Sequence, residues 1–273
     1  MKIAFCLFKY SPYSGLSLDF GRILEECLNR GHSAHVFVSE WQGERPEGAQ
    51  FTVLESPKIS LKFSNHAQNE QFHNKLQVEL KKQAFDVVVG FNKMPGLDLY
   101  YGADSCYVGD KGTQYPAIYK LTRRYKGRYS FEEAVFGVKS QTLILSLSER
   151  QKSEYQEYYF TPNERFHLLP PTLDASFSPI TDRVHQREKL RVELDLPIND
   201  LLLMFIGSGF RTKGLDRGIT ALASLPIDIQ ERTSLIVVGD DDDEKQYRKQ
   251  ADRLSVSKQV LFLGGRSRED IPR

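Results

Sequence analysis

Residues 205–218 read FIGSGFRTKGLDRG, an apolar run that ends in Gly207, Ser208 and Gly209, with Arg211 and Lys213 just beyond. Glycines at a strand-to-helix junction let backbone N–H groups approach an anion closely, and a nearby cation neutralises its charge. Two readings fit the spacing: a grip on phosphate, or a plain turn with solvated basic residues. A P-loop is excluded because GxxxxGK[ST] is unmatched, and Thr212 stands where a dinucleotide fingerprint needs its third glycine. A second junction, KYSPYSGLSLDF, puts Gly15 where the first strand hands over to the first helix, with Asp19 one turn further in. A third stretch, GFNKMPGLDLYYGAD at 90–104, offers Asn92, Lys93, Asp98 and Asp104. A carboxylate there can orient or deprotonate a substrate hydroxyl; the bland alternative is a solvated polar loop.

Metal chemistry has little support. The histidines His32, His35, His66, His73, His167 and His185 show no HxxxH or HExxH spacing. Cys6, Cys27 and Cys106 form no CxxC pair, so neither zinc nor a disulfide framework is expected, and a reducing cytoplasm fits best. The acidic run Asp240 to Glu244 follows an apolar strand and opens a helix, where negative charge suits the dipole; a DxD metal site needs a different sheet context.

Lys plus Arg number 37 against 36 Asp plus Glu, so no general pull toward nucleic acid or membrane exists. The local exception is KGTQYPAIYKLTRRYKGRYSF at 111–131, which has no acidic residue and carries Lys111, Tyr115, Lys120, Arg123, Arg124, Tyr125, Lys126 and Arg128. On a helix, Ile118, Leu121, Tyr125 and Tyr129 share one face while Lys120, Arg123, Arg124 and Lys126 spread over the other. That suits an anionic membrane surface, or an ordinary surface helix with its tyrosines on the core. No nucleic-acid recognition module accompanies the patch.

The elements that must hold these residues alternate along the chain. The strand IAFCLF, the helix LDFGRILEECLNRG and the strand HVFVS form one unit. FTVLE, a helical stretch at 65–83, FDVVVGF, a helix near 116–136, TLILSL and a helix opening at Ser148 continue it. Pro170-Pro171 breaks the texture, so domains are expected at 1–168 and 169–273. The pattern then restarts with LLLMFIG, DRGITALASL, TSLIVVG, a helix at 243–254 and VLFLGG. The expected class is α/β with two Rossmann-like parallel-sheet domains, in which ligands sit at the carboxyl ends of the strands. The opening MKIAFCLFKY is too short for a signal-peptide core or a bilayer span and reads as a buried strand.

MKIAFCLFKY, GFNKMPGLD with AD at 103–104 and CY at 106–107, HLLPP and KGLDRGITALASLP resemble the lipopolysaccharide core glucosyltransferase I family over the whole chain. The resemblance implies a metal-independent, retaining GT-B glycosyltransferase that moves glucose from UDP-glucose onto an inner-core heptose of lipopolysaccharide. It implies peripheral attachment at the cytoplasmic face of the inner membrane, through a segment matching 104–133. Lys213 matches the lysine that grips the UDP pyrophosphate, Gly15 a glycine approaching the donor phosphate, and Asp19 an acidic residue important to the site. Gly207, Ser208, Gly209 and Arg211 complete the implied phosphate loop, Lys9, Asn92 and Lys93 are implied acceptor contacts, and Asp19, Asp98 and Asp104 are the catalytic candidates.

Three departures from the family stand out. Thr212 replaces the arginine usually found before the pyrophosphate lysine, Ser14 replaces one glycine of a pair, and no E-x7-E motif follows the last strand. The second domain is therefore expected to be truncated, with an apolar sheet edge uncovered. A catalytically incompetent membrane-associated fragment and a Rossmann-type oxidoreductase are the alternatives.

Overall fold

The computed structural model describes residues 1–12, 14–55, 65–109, 116–170 and 182–266. It divides into two compact units, Met1–Pro171 and Thr172–Arg273.

In the first unit, β1 (Lys2–Tyr10), β2 (Ser33–Trp41), β3 (Ala49–Val53), β4 (Val87–Gly90), β5 (Leu99–Gly102), β6 (Leu143–Ser146) and β7 (Phe166–Leu168) pair in the order β3-β2-β1-β4-β5-β6-β7. Every pairing is parallel. The strand period of two then fixes which residues meet which helices. Ile3, Phe5 and Leu7 bury one face of β1 against Phe20 and Leu24 of α1 (Gly15–Asn29). Ala4 and Cys6 face the other way, into a core with Phe72 and Leu76 of α2 (Asn65–Leu80), Val135 and Phe136 of α3 (Arg123–Phe136), and Tyr155 and Tyr159 of α4 (Glu149–Tyr159). Gly31, in the left-handed region at φ 77°, lets the chain leave α1 and enter β2.

Two strands were not expected from the sequence. β5 lies inside the stretch read as a loop, and β7 has three residues. The crossover from β4 to β5 spans residues 91–98 with no helix, so it must hug the sheet. Leu97 lies directly over Gly90: a Cβ added there would stand 2.2 Å from Leu97 Cδ1.

In the second unit, β8 (Leu201–Ile206), β9 (Thr233–Val238) and β10 (Val260–Gly264) form a parallel sheet in the order β10-β9-β8. A further helix, α5 (Arg183–Glu193), forms in the charge-rich segment after the prolines. Leu215, Ile219 and Leu222 of α6 (Leu215–Ala223) and Tyr247 and Ala251 of α7 (Glu244–Arg253) cover one sheet face. The edge strand β8 keeps Leu201, Leu203, Met204 and Ile206 exposed at 46–53%.

Candidate functional site

In the first unit a cavity of about 340 Å³ opens at the carboxyl ends of β1, β4 and β5, between α2 and α3. Phe8, Asn92, Lys93, Asp104 and Tyr107 line it from the sheet side, and His66, Asn69, Glu70, Arg128, Phe131 and Glu132 from the helices. Asn92 is held because its Oδ1 accepts from Phe8 N at 2.8 Å. Lys93 is held more firmly. Its side chain is 11% exposed, it pairs with Glu132, and it donates to Ser105 O at 2.6 Å. Its ammonium also lies 5.2 Å from the Tyr155 ring centroid.

Glu132 is the residue that sequence reading missed. It has no exposure, yet its carboxylate also accepts from Tyr107 N at 2.9 Å, Val108 N at 3.2 Å and Tyr159 OH at 2.8 Å. A buried charge needs such saturation to be tolerated. The available signal was an acidic residue on the stripe Tyr125, Tyr129, Glu132, Phe136 that faces inward from α3. Burial raises the phenol of Tyr159 and pushes the neighbouring thiol of Cys106 up to about 12, so neither ionises near neutral pH.

Asp104 sits just past β5, its backbone pinned by Gln151 Nε2 at 2.9 Å and Tyr155 OH at 2.9 Å. Its carboxyl is raised above its ordinary value chiefly by the protein atoms that crowd it, with Lys93 opposing, although the residue as a whole stays open to solvent. Asp98 does not join it. Asp98 precedes β5, at the amino ends of the strands, and its carboxylate accepts from Val88 N at 2.8 Å, fixing the β4–β5 register. The catalytic assignment of Asp98 is therefore corrected to a structural one.

Asp19 lies on the opposite face of the sheet, on α1, accepting from Tyr101 OH at 2.8 Å and facing Arg22 at 3.6 Å. Gly15 opens that helix, exposed, with no atom within 4 Å of an added Cβ. Lys9 does not line the cavity; it pairs with Glu40 at 2.9 Å, both well exposed.

The basic segment departs from the expected single helix. Ala117–Leu121 is a 3-10 turn, and the chain is extended at Thr122, whose hydroxyl caps α3 by accepting from Tyr125 N at 3.2 Å. The proposed apolar stripe is split by this break. Ile118 and Leu121 are 73% and 70% exposed, while Tyr125 is 8% exposed and packs inward on Tyr107, Tyr119 and Tyr129. Tyr125 is thus a core residue, not a membrane contact. Lys120, Arg123, Arg124 and Lys126 are exposed beside Ile118 and Leu121; Lys111 and Tyr115 lie outside the described residues.

In the second unit the glycine-rich stretch folds as its spacing suggests. Gly207, Gly209 and Gly214 have φ of 141°, 71° and 82°, angles that suit glycine, and Phe210–Lys213 forms a single helical turn between the last two. Phe210 is fully buried against Phe205 and Tyr247 and anchors the turn. The Lys213 stem runs past Gly207, with its Cε 3.7 Å from an added Cβ, and Ser208, Arg211 and Lys213 remain exposed. The turn's first amide is engaged: Phe210 N donates to Asp241 at 2.7 Å. Asp241 also accepts from Asp243 N at 2.9 Å, and these amide bonds hold its carboxyl below the ordinary value. Asp240 in turn accepts from Gly265 N at 2.9 Å. The acidic run thus stitches neighbouring loops together. No group of three or more His, Cys, Asp or Glu able to hold a metal ion occurs among the described residues.

A parallel α/β sheet with a glycine-lined basic turn after a strand is compatible with a glycosyltransferase, and residues 186–273 match the family model of glycosyl transferases group 1. Along 267 residues the chain is 38% identical to the lipopolysaccharide glucosyltransferase WaaG of Escherichia coli strain K12, spanning 98% of this chain and 70% of that protein. The chain belongs to the lipopolysaccharide core glucosyltransferase I family, and is a glycosyltransferase of lipopolysaccharide biosynthesis. The crystal structure of WaaG superposes with a TM-score of 0.88 at 36% identity, covering 99% of this chain and 71% of that one. Anabaena Alr3699/HepE, solved with UDP and glucose, shares the fold at a TM-score of 0.68 and 18% identity, covering 100% of this chain and 71% of that one. The match to group 1 transferases sets aside the oxidoreductase reading. No helix among the described residues is long and apolar enough to cross a membrane.

Proposed function

We propose that the chain transfers glucose from UDP-glucose, with retention, to a heptose of the lipopolysaccharide inner core. The observation that carries this reading is the Gly207–Gly214 turn, which presents the Lys213 ammonium beside glycine backbone at the carboxyl end of β8. The 38% identical relative is named a lipopolysaccharide glucosyltransferase, and the Anabaena protein of the same fold binds UDP and glucose. Residues 169–273 hold the donor in this reading, with Gly207, Ser208, Gly209, Arg211 and Lys213 on its phosphates, and residues 1–168 hold the acceptor. Gly15 and Asp19 are further candidate site residues of the first domain in this reading.

In a retaining transfer of this type the leaving phosphate takes the proton of the attacking hydroxyl on the same face. The protein's task is then to stabilise negative charge as it develops on that phosphate, which Lys213 supplies together with loop amides that Asp241 does not hold. No metal is required. Exposed Ile118 and Leu121, next in sequence to exposed Lys120, Arg123, Arg124 and Lys126, suit shallow insertion into an anionic bilayer, and in this reading the enzyme works at the cytoplasmic face of the inner membrane.

Incubation of purified chain with radiolabelled UDP-glucose and inner-core lipopolysaccharide lacking glucose tests the reading. Labelled lipopolysaccharide is the expected product. UDP binding without any transfer would overturn it.

A further inference from the structure

The basic segment is two sets of cations, not one. Lys120, Arg123, Arg124 and Lys126 are exposed, but Arg128 is half-buried and lines the cavity of the first unit. Its place follows from helix periodicity. Positions 125, 128 and 132 share the inward face of α3, and Arg128 lies between buried Tyr125 and buried Glu132. The guanidinium lies over the Tyr107 ring, 5.4 Å from its centroid, and makes no ion pair among the described residues. A stacked guanidinium keeps its N–H edge available and is held as a flat fork, the geometry that recognises phosphate or carboxylate in two-point fashion.

The rest of the cavity is equipped for a polyhydroxylated ring. Asn69 and Glu70 on α2 and Asn92 and Asp104 on the sheet side supply amides and carboxylates for hydroxyl groups, and Phe8, Tyr107 and Phe131 supply apolar walls. Gly127 leaves room for the Glu70 carboxylate, since a Cβ there would stand 3.0 Å from Glu70 Oε1. The volume of about 340 Å³ suits one or two sugar rings. Lys93 and Glu132 neutralise one another in the lining, so among the described lining residues Arg128 is the arginine or lysine left to select charge, with the Asp104 carboxylate also within its electrostatic reach.

We propose that Arg128 belongs to an acceptor subsite rather than to the membrane surface, where it binds a phosphate substituent on a sugar whose hydroxyls meet Asn69, Glu70, Asn92 and Asp104. This rests on reading the first domain as the acceptor side of a lipopolysaccharide transferase, and it names the charge that domain selects.

The test uses the full chain and a soluble probe, deacylated inner-core oligosaccharide, before and after phosphatase treatment, with affinity measured by titration calorimetry. Arg128→Gln should weaken binding of the untreated oligosaccharide at least tenfold and change binding of the treated one less than twofold. Arg128→Lys, which keeps the charge without the planar fork, should fall between. Cosedimentation with vesicles containing phosphatidylglycerol should be unaltered in Arg128→Gln and reduced in Arg124→Gln. Equal loss of vesicle binding in both variants, with oligosaccharide affinity unchanged, would overturn the proposal. So would an equal loss for treated and untreated oligosaccharide. Oligosaccharide binding does not depend on turnover, so failure of glucose transfer alone would count against the transferase reading and not against the subsite.

Discussion

The cavity of the first unit and the glycine turn of the second each hold a lysine, but they are built in opposite ways. Around Lys93 the work is done by side chains: Glu132, Tyr155, Tyr159 and Gln151 converge from two helices and leave the lysine 11% exposed. Around Lys213 it is done by backbone, with three glycines in left-handed or otherwise positive-φ conformations and the lysine exposed. The difference decides what each cation is for. A lysine saturated by a buried carboxylate organises the cavity floor and has little left for a ligand. An exposed lysine over glycine backbone shapes little and keeps its charge for one.

The comparison breaks most readily at Glu132. Glu132→Ala strands Lys93 and two amides in the interior, and urea unfolding should show a loss of about 3–5 kcal/mol; an unchanged midpoint would mean the pair holds nothing. In the second unit the corresponding weak point is a glycine. Gly239 has φ 137° and an added Cβ would meet Gly207 O at 2.4 Å, so Gly239→Ala combines strain with overlap against backbone and should cost about 2–4 kcal/mol. Gly90→Ala, whose new methyl meets the Leu97 side chain instead, should cost about 1–3 kcal/mol. If the two glycine variants reversed rank, the contrast between backbone-built and side-chain-built sites would fail.

Lys213→Ala sharpens the functional half of the contrast. UDP affinity by calorimetry should fall by about 1.5–3 kcal/mol, the worth of a charged hydrogen bond, while stability stays within about 0.5 kcal/mol of the parent. A large stability loss with intact UDP binding would assign Lys213 the role found for Lys93. The smallest effect concerns Asp241. Its carboxyl is held below the ordinary value of 3.8, so the stabilisation is present above that pH and is lost as pH falls through the lowered value. Melting curves from pH 7 to pH 3 should therefore drop less steeply in Asp241→Asn than in the parent.

The alternation of strands and helices was legible because apolar runs such as IAFCLF and TSLIVVG are long and bounded by turn residues. β5 was not, because LYYG is four residues entered by a helix-free crossover, and the contacts that commit it to the sheet, Leu97 on Gly90 and Asp98 on Val88 N, form only in the fold. The glycine turn was legible because its conformation is written in residue type. The cavity was largely illegible, since Asn69, Glu70, Arg128 and Glu132 come together only when α2 and α3 pack, and their polarity looks like ordinary surface in the sequence. The basic segment was misread at Thr122, where a cap bond stops the helical pattern from running through.

Asp241 leaves one further mark on the donor side. Because its carboxylate already holds Phe210 N, a nucleotide phosphate that reached that amide, in the reading proposed above, would first have to displace a tethered anion. A small monovalent anion would gain almost nothing by the trade, whereas a diphosphate would bring a second charge for Lys213 to meet.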